Sequence, residues 1–267
     1  MIMKRLRYFT LTLALLSLFS LNSCKEVLQV VSQNLPLSEE EIISGLKSAL
    51  QVGTDTAVAN LTRVDGFYKD AAVKILLPPQ AQGVIDKLNS SAAGRTLYKA
   101  ALQPLVDDMV MSLNRSAEDA AQKATPIFVD AIRNITIRDG LNILYGPDTA
   151  ATNYLRSNTF SRLSDAFEPS INQSLSKPLL AGRSANDLYN NFVNTYNKVA
   201  NNPLNSFLGL QKIDDSNLST YVTNKALDGV FLKIAREEKM IRENPGHRVN
   251  DILKRVFGKL DSPNAQY

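Results

Sequence analysis

From residue 38 onward, apolar residues recur every three or four positions with few interruptions, the period of a helix buried along one side. Ser38-Glu39-Glu40-Glu41 opens the first stretch as a capping box, in which the serine oxygen accepts from the third amide and Glu41 reaches back. Ile42, Leu46, Leu50 and Leu61 then share a side with Gly45, Ala49, Gly53 and Ala57, a stripe of small residues that lets another helix come close. The pattern breaks over 62–83, where Asp65-Gly66 and the extended Val73-Lys74-Ile75-Leu76-Leu77-Pro78-Pro79 read as a loop laid over the helices, or at most a short edge pairing.

A short helix over 80–89 and a Ser/Ala/Gly linker to Gly94 follow. Leu102, Val106, Met109, Leu113, Ala117, Ala120 and Ala124 form the narrow seam of the next helix, with Pro104 in its first turn. Pro126 opens a short helix over 127–134, Thr136 caps one that stops at Gly146-Pro147, and Asp148 caps another reaching about Asn158. Helical patterns recur over 160–175 and over 185–200, the latter capped by Ser184. Residues 201–217 read as loop, Leu218–Glu243 as the longest helix, ended by Asn244-Pro245-Gly246, and 249–257 as the last. The expectation is all-α: a single domain over 38–258 of roughly nine to eleven helices with little or no sheet, and a tail over 259–267.

The N-terminus departs from this pattern. Lys4, Arg5 and Arg7 precede an uncharged apolar run over 8–21, the length of a signal-peptide core and short for a membrane span. Leu21-Asn22-Ser23-Cys24 resembles a bacterial lipobox, with Asn22 the one departure from its usual small or apolar residues. The resemblance implies a lipoprotein signal peptide over 1–23, acylation of Cys24 as the new N-terminus, and a tether over 24–37. Each buried acyl methylene contributes about 0.8 kcal/mol, so two or more chains hold a protein on a bilayer. Lys25 follows the cysteine where an Asp would resemble an inner-membrane retention signal, and no acidic run follows. The expected place is therefore the cell envelope, facing the periplasm, at the outer membrane rather than the inner.

Composition sharpens this picture. With 44% apolar and 21% charged residues the chain is a folding one. One Cys and one His exclude an intramolecular disulfide and a Cys/His zinc site, which needs about four such ligands. The formal charge of +4 suggests an acidic partner until the leader is removed. Losing Lys4, Arg5 and Arg7 lowers Lys+Arg from 30 to 27 against 26 Asp+Glu, a formal charge of +1. The basic residues are interspersed with acids, so nucleic acid is not an expected partner.

Candidate chemistry is sparse. There is no Gly-x-Ser-x-Gly elbow, P-loop, dinucleotide fingerprint or EF-hand loop, and no cofactor or metal site is expected. His247 reads as a loop or capping histidine. Adjacent acids such as Asp107-Asp108 and Asp214-Asp215 point about 100° apart on a helix and make no dyad by themselves. Glu238 and Arg242, four apart, read as a surface ion pair. Asp55-Thr56-Ala57 and Asp148-Thr149-Ala150 resemble a periplasmic O-glycosylation signal, although helix positions explain both. Asn114, Arg115, Glu118, Asp130, Arg133 and Asp139 are polar residues within helical stretches, and read as a buried network fixing helix register or, alternatively, as the lining of a pocket.

Several segments resemble the bacterial domain-of-unknown-function family 4197: Asp65-Gly66-Phe67, Ile75-Leu76-Leu77-Pro78, Ser112-Leu113-Asn114-Arg115-Ser116-Ala117-Glu118, Ile143-Leu144-Tyr145-Gly146-Pro147, Lys225-Ala226-Leu227-Asp228-Gly229-Val230-Phe231 and Ile241-Arg242-Glu243-Asn244-Pro245. The resemblance covers nearly all of 40–258 and implies one exported domain, with no activity or catalytic residue to carry over. Three functions follow, in order: a non-enzymatic, lipid-anchored module binding an envelope protein or component; a helical carrier of a lipid or other apolar ligand; and a carboxylate enzyme using Asp130, Arg133 and Asp139.

Overall fold

The computed structural model describes residues 37–178, 182–201, 212–213 and 217–261. Ten α-helices and no strand are found among them. They are α1 (Glu39–Leu61), α2 (Pro79–Asn89), α3 (Ala92–Leu97), α4 (Gln103–Ala121), α5 (Ala124–Arg133), α6 (Ile137–Leu144), α7 (Ala150–Leu175), α8 (Ala185–Ala200), α9 (Leu218–Glu243) and α10 (Asp251–Phe257). A π turn (Tyr98–Leu102) joins α3 to α4, and 3₁₀ turns follow α9 and α10.

The capping chemistry expected at Ser38 and Thr136 is present as two full boxes, with Glu41 and Asp139 returning the bond. Ser184 accepts from the Asp187 amide at 3.1 Å in the same way. α1 lies among α5, α6, α9 and α10, and α7 packs along α4, α5 and α9. Leu46, Leu61, Leu113, Phe128, Leu155, Phe167, Val222 and Leu227 meet in one continuous core. Of the small-residue stripe, Gly45 is the one that matters for contact. A Cβ there would come within 2.5 Å of Val256 on α10, whereas at Gly53 the nearest atom lies at 3.6 Å.

Three expectations change. The segments 148–158 and 160–175 form one helix, α7, which continues through Pro169. At the junction the side chains of Asn158 and Thr159 donate to the carbonyls four residues back, at 2.8 and 2.7 Å, a local bond that is compatible with the helix running on. Asp148 is not the cap of that helix: the N-cap position is Thr149, which makes no side-chain capping bond. The tail also begins later than 259, since Gly258–Asp261 forms a turn in which Arg248 holds the Asp261 carboxylate at 2.5 and 2.7 Å.

Candidate functional site

The segment 62–78 between α1 and α2 carries no regular secondary structure, so its backbone groups need partners from elsewhere. α4 supplies them. Glu118, buried, accepts through Oε1 from the amides of Phe67 at 3.1 Å and Tyr68 at 3.4 Å. Arg115 bridges the other Glu118 oxygen, at 2.6 Å, to Asp65 at 2.5 Å. Asp65 has φ 71°, a left-handed turn that aspartate tolerates. Lys69 and then Arg115, bonded to its carboxylate, hold the Asp65 pKa below the ordinary range.

One turn before Glu118 lies Asn114, fully buried. Its Oδ1 accepts from the Ile75 amide and its Nδ2 donates to the Ile75 carbonyl, both at 2.8 Å. A side-chain amide thus stands where a neighbouring strand would, and no edge pairing with backbone is made among the described residues. Lys233 of α9 pairs with Asp70, holding that carboxyl below its ordinary pKa, and the Tyr221 hydroxyl donates to the carbonyls of Leu76 (3.2 Å) and Leu77 (3.4 Å). Gly229 lets the segment seat closely: a Cβ there would meet Phe67 at 2.8 Å and Val73 at 3.3 Å.

The result is an open groove of about 330 Å³ between residues 72–76 and α9. Leu76 and Leu232 stand exposed at its rim. Asp228 in its wall is paired with Arg156 at 2.8 Å. Lys225, exposed, and Lys74, whose ammonium lies 4.3 Å above the Tyr68 ring, have no carboxylate partner among the described residues. The lip of the groove is therefore positive.

A second polar cluster is structural. Glu238 and Arg242, read above as a surface pair, are only 8% and 7% exposed. The Glu238 carboxylate accepts from the Ala151 and Thr152 amides at 3.0 and 2.8 Å, capping α7 from another helix. Arg242 donates to the carbonyls of Ile143 and Leu144 at 2.7 and 3.1 Å, closing the end of α6. The helix dipoles favour both charges. The cavity beside them is about 20 Å³, room for a water and not for an acyl chain.

The six polar residues singled out in the sequence separate. Asn114, Arg115 and Glu118 all engage the 62–78 segment, Arg115 and Glu118 as a bonded pair and Asn114 separately at Ile75. Asp130 pairs with Arg162 at the surface, Arg133 is exposed, and Asp139 is bonded to Thr136 in its capping box. No hydrogen bond or ion pair joins the last three to one another. His247 is exposed in a 3₁₀ turn. Cys24 and the lipobox lie outside the described residues, and no described helix is long and apolar enough to cross a membrane.

The model of a family described as "Protein of unknown function (DUF4197)" matches residues 36–258. No curated protein and no solved structure matches the chain.

Proposed function

Since the chain belongs to the DUF4197 family over residues 36–258, which brings no substrate to transfer, we propose from its own residues that it is an envelope lipoprotein. It is tethered through Cys24, favouring the outer membrane, and acts as a non-enzymatic binding module.

The observation that carries the binding role is the preorganised groove beside α9. Asn114, Arg115 and Glu118 have their polar atoms committed to the backbone and turn of 62–78, which leaves them unsuited to acid–base work and well suited to holding a recognition segment still. The lipid-carrier reading finds less support, because the apolar cavity near Glu238 is far below the size of a ligand pocket. The test is metabolic labelling with radioactive palmitate together with membrane fractionation. Label and membrane association present in the native chain and lost in Cys24→Ala support the anchor; an unlabelled native chain, or membrane association unchanged in Cys24→Ala, overturns it.

A further inference from the structure

The geometry points to strand addition: the open edge of residues 74–76 takes an extended, acidic peptide segment, running parallel to it, in the groove beside α9. This inference rests on the binding-module reading and names its ligand.

Ile75 turns both its amide and its carbonyl to Asn114, at 2.8 Å each. Only an extended residue presents both groups on one edge. Successive residues alternate, so the Lys74 carbonyl and the Leu76 amide lie on the opposite edge. That is the edge where the Lys74 amide donates to the Asp70 carbonyl at 2.8 Å and the Tyr221 hydroxyl meets the Leu76 carbonyl, so the open stretch is the carbonyl and amide between them. Neither the Lys74 carbonyl nor the Leu76 amide has a hydrogen-bond partner among the described residues. An acceptor and a donor flanking one residue are what a parallel strand uses: its residue donates to the carbonyl before Ile75 and accepts from the amide after it. An antiparallel pair at Leu76 would need the carbonyl that Tyr221 already occupies.

Charge and shape name the side chains. Lys74 and Lys225 line the groove without carboxylate partners among the described residues, and Asp228 is neutralised by Arg156. Leu76 and Leu232 offer apolar contact at the rim. The occupant is thus an extended segment with an apolar residue flanked by Asp or Glu. Main-chain bonds give affinity and alternate side chains give specificity, as in other strand-addition sites. A phospholipid headgroup could satisfy the lysines and not the paired backbone groups.

The test titrates the full mature protein, in detergent micelles, against a fluorescein-labelled Glu-Val-Glu-Val-Glu peptide blocked at both ends, read by anisotropy. Saturable binding is expected, weakened about tenfold or more in Leu76→Pro, which removes the amide while keeping Ile75 extended. Leu76→Ala, which keeps the amide, stays within about threefold of the native protein, since its side chain is at the rim. N-methylating the central valine of the peptide weakens binding as Leu76→Pro does, and decides the matter if that variant misfolds. Lys225→Glu weakens this peptide and favours one with Lys in place of Glu. Equal binding by Leu76→Pro and the native protein, no binding up to about 1 mM, or displacement by anionic phospholipid vesicles overturns strand addition. Palmitate labelling is read separately, so an anchored protein that ignores the peptide defeats this inference alone.

Discussion

Replacing Asn114 with leucine removes the amide while keeping a side chain of similar reach. Three bonds go: from the Ile75 amide, to the Ile75 carbonyl, and to the Val110 carbonyl at 2.7 Å. The third costs little, because Val110 keeps its helical partner. The first two leave a donor and an acceptor unsatisfied at a residue only 2% exposed. Each such group costs about 1–3 kcal/mol, so the intact loop would lose about 2–6 kcal/mol. Peeling the segment into water relieves part of that, which places the expected loss at about 2–4 kcal/mol, a large share of the ~5–15 kcal/mol of a typical domain. Urea unfolding followed by circular dichroism measures it, and a lower m-value accompanies it if the segment detaches before the helices do. A loss below about 0.5 kcal/mol with unchanged m would refute the idea that Asn114 stands in for a strand.

Three further outcomes follow from the same contacts. Glu238→Ala strands Arg242 and the α7 amides, and should cost about 3–5 kcal/mol in chemical denaturation; a loss typical of an exposed pair, under about 1 kcal/mol, would contradict the burial. Asp70 is held below its usual pKa chiefly by Lys233, and Asp65 by Lys69 and Arg115. As pH falls the unfolded chain takes up protons first, so this contribution is full above about pH 5 and declines as pH drops through the unfolded and then the folded values; the urea midpoint in Asp70→Asn should vary less between about pH 5 and 3 than in the native chain. Asp130→Ala breaks only a pair about half exposed on both sides, and should shift thermal stability by about 0–1 kcal/mol.

The helices were legible because their signals are local. The boxes at Ser38 and Thr136, the stop at Asn244-Pro245 and the seam on α4 are all written within a few residues of the ends they define. The break expected before residue 160 failed for a related reason: the Asn and Thr there can serve a turn or bond back along the helix, and sequence does not say which. The candidate site was half legible. Asn114, Arg115 and Glu118 were recognisable as polar residues in a helical stretch, but their partners are backbone groups of Ile75, Phe67 and Tyr68, which have no residue signature. Asp130 and Arg133 carried the same polar-in-helix signal and lie on an exposed face. Glu238 and Arg242 had the spacing of a surface pair; the helix ends that surround them come from residues almost a hundred positions earlier. The groove lysines carry no mark of a site in the sequence, since a cation without a partner is defined by what folds around it.

Residue-resolved hydrogen exchange of the free protein at Ile75 and Leu76 tests the central claim most directly. With one edge of the segment held by Asn114 and the other open, the Ile75 amide should exchange slowly and the Leu76 amide, its immediate neighbour, at close to the rate of an unprotected peptide. Strong protection of both amides would mean that the edge is already filled, and rapid exchange of both that Asn114 does not hold Ile75; either result would contradict the account.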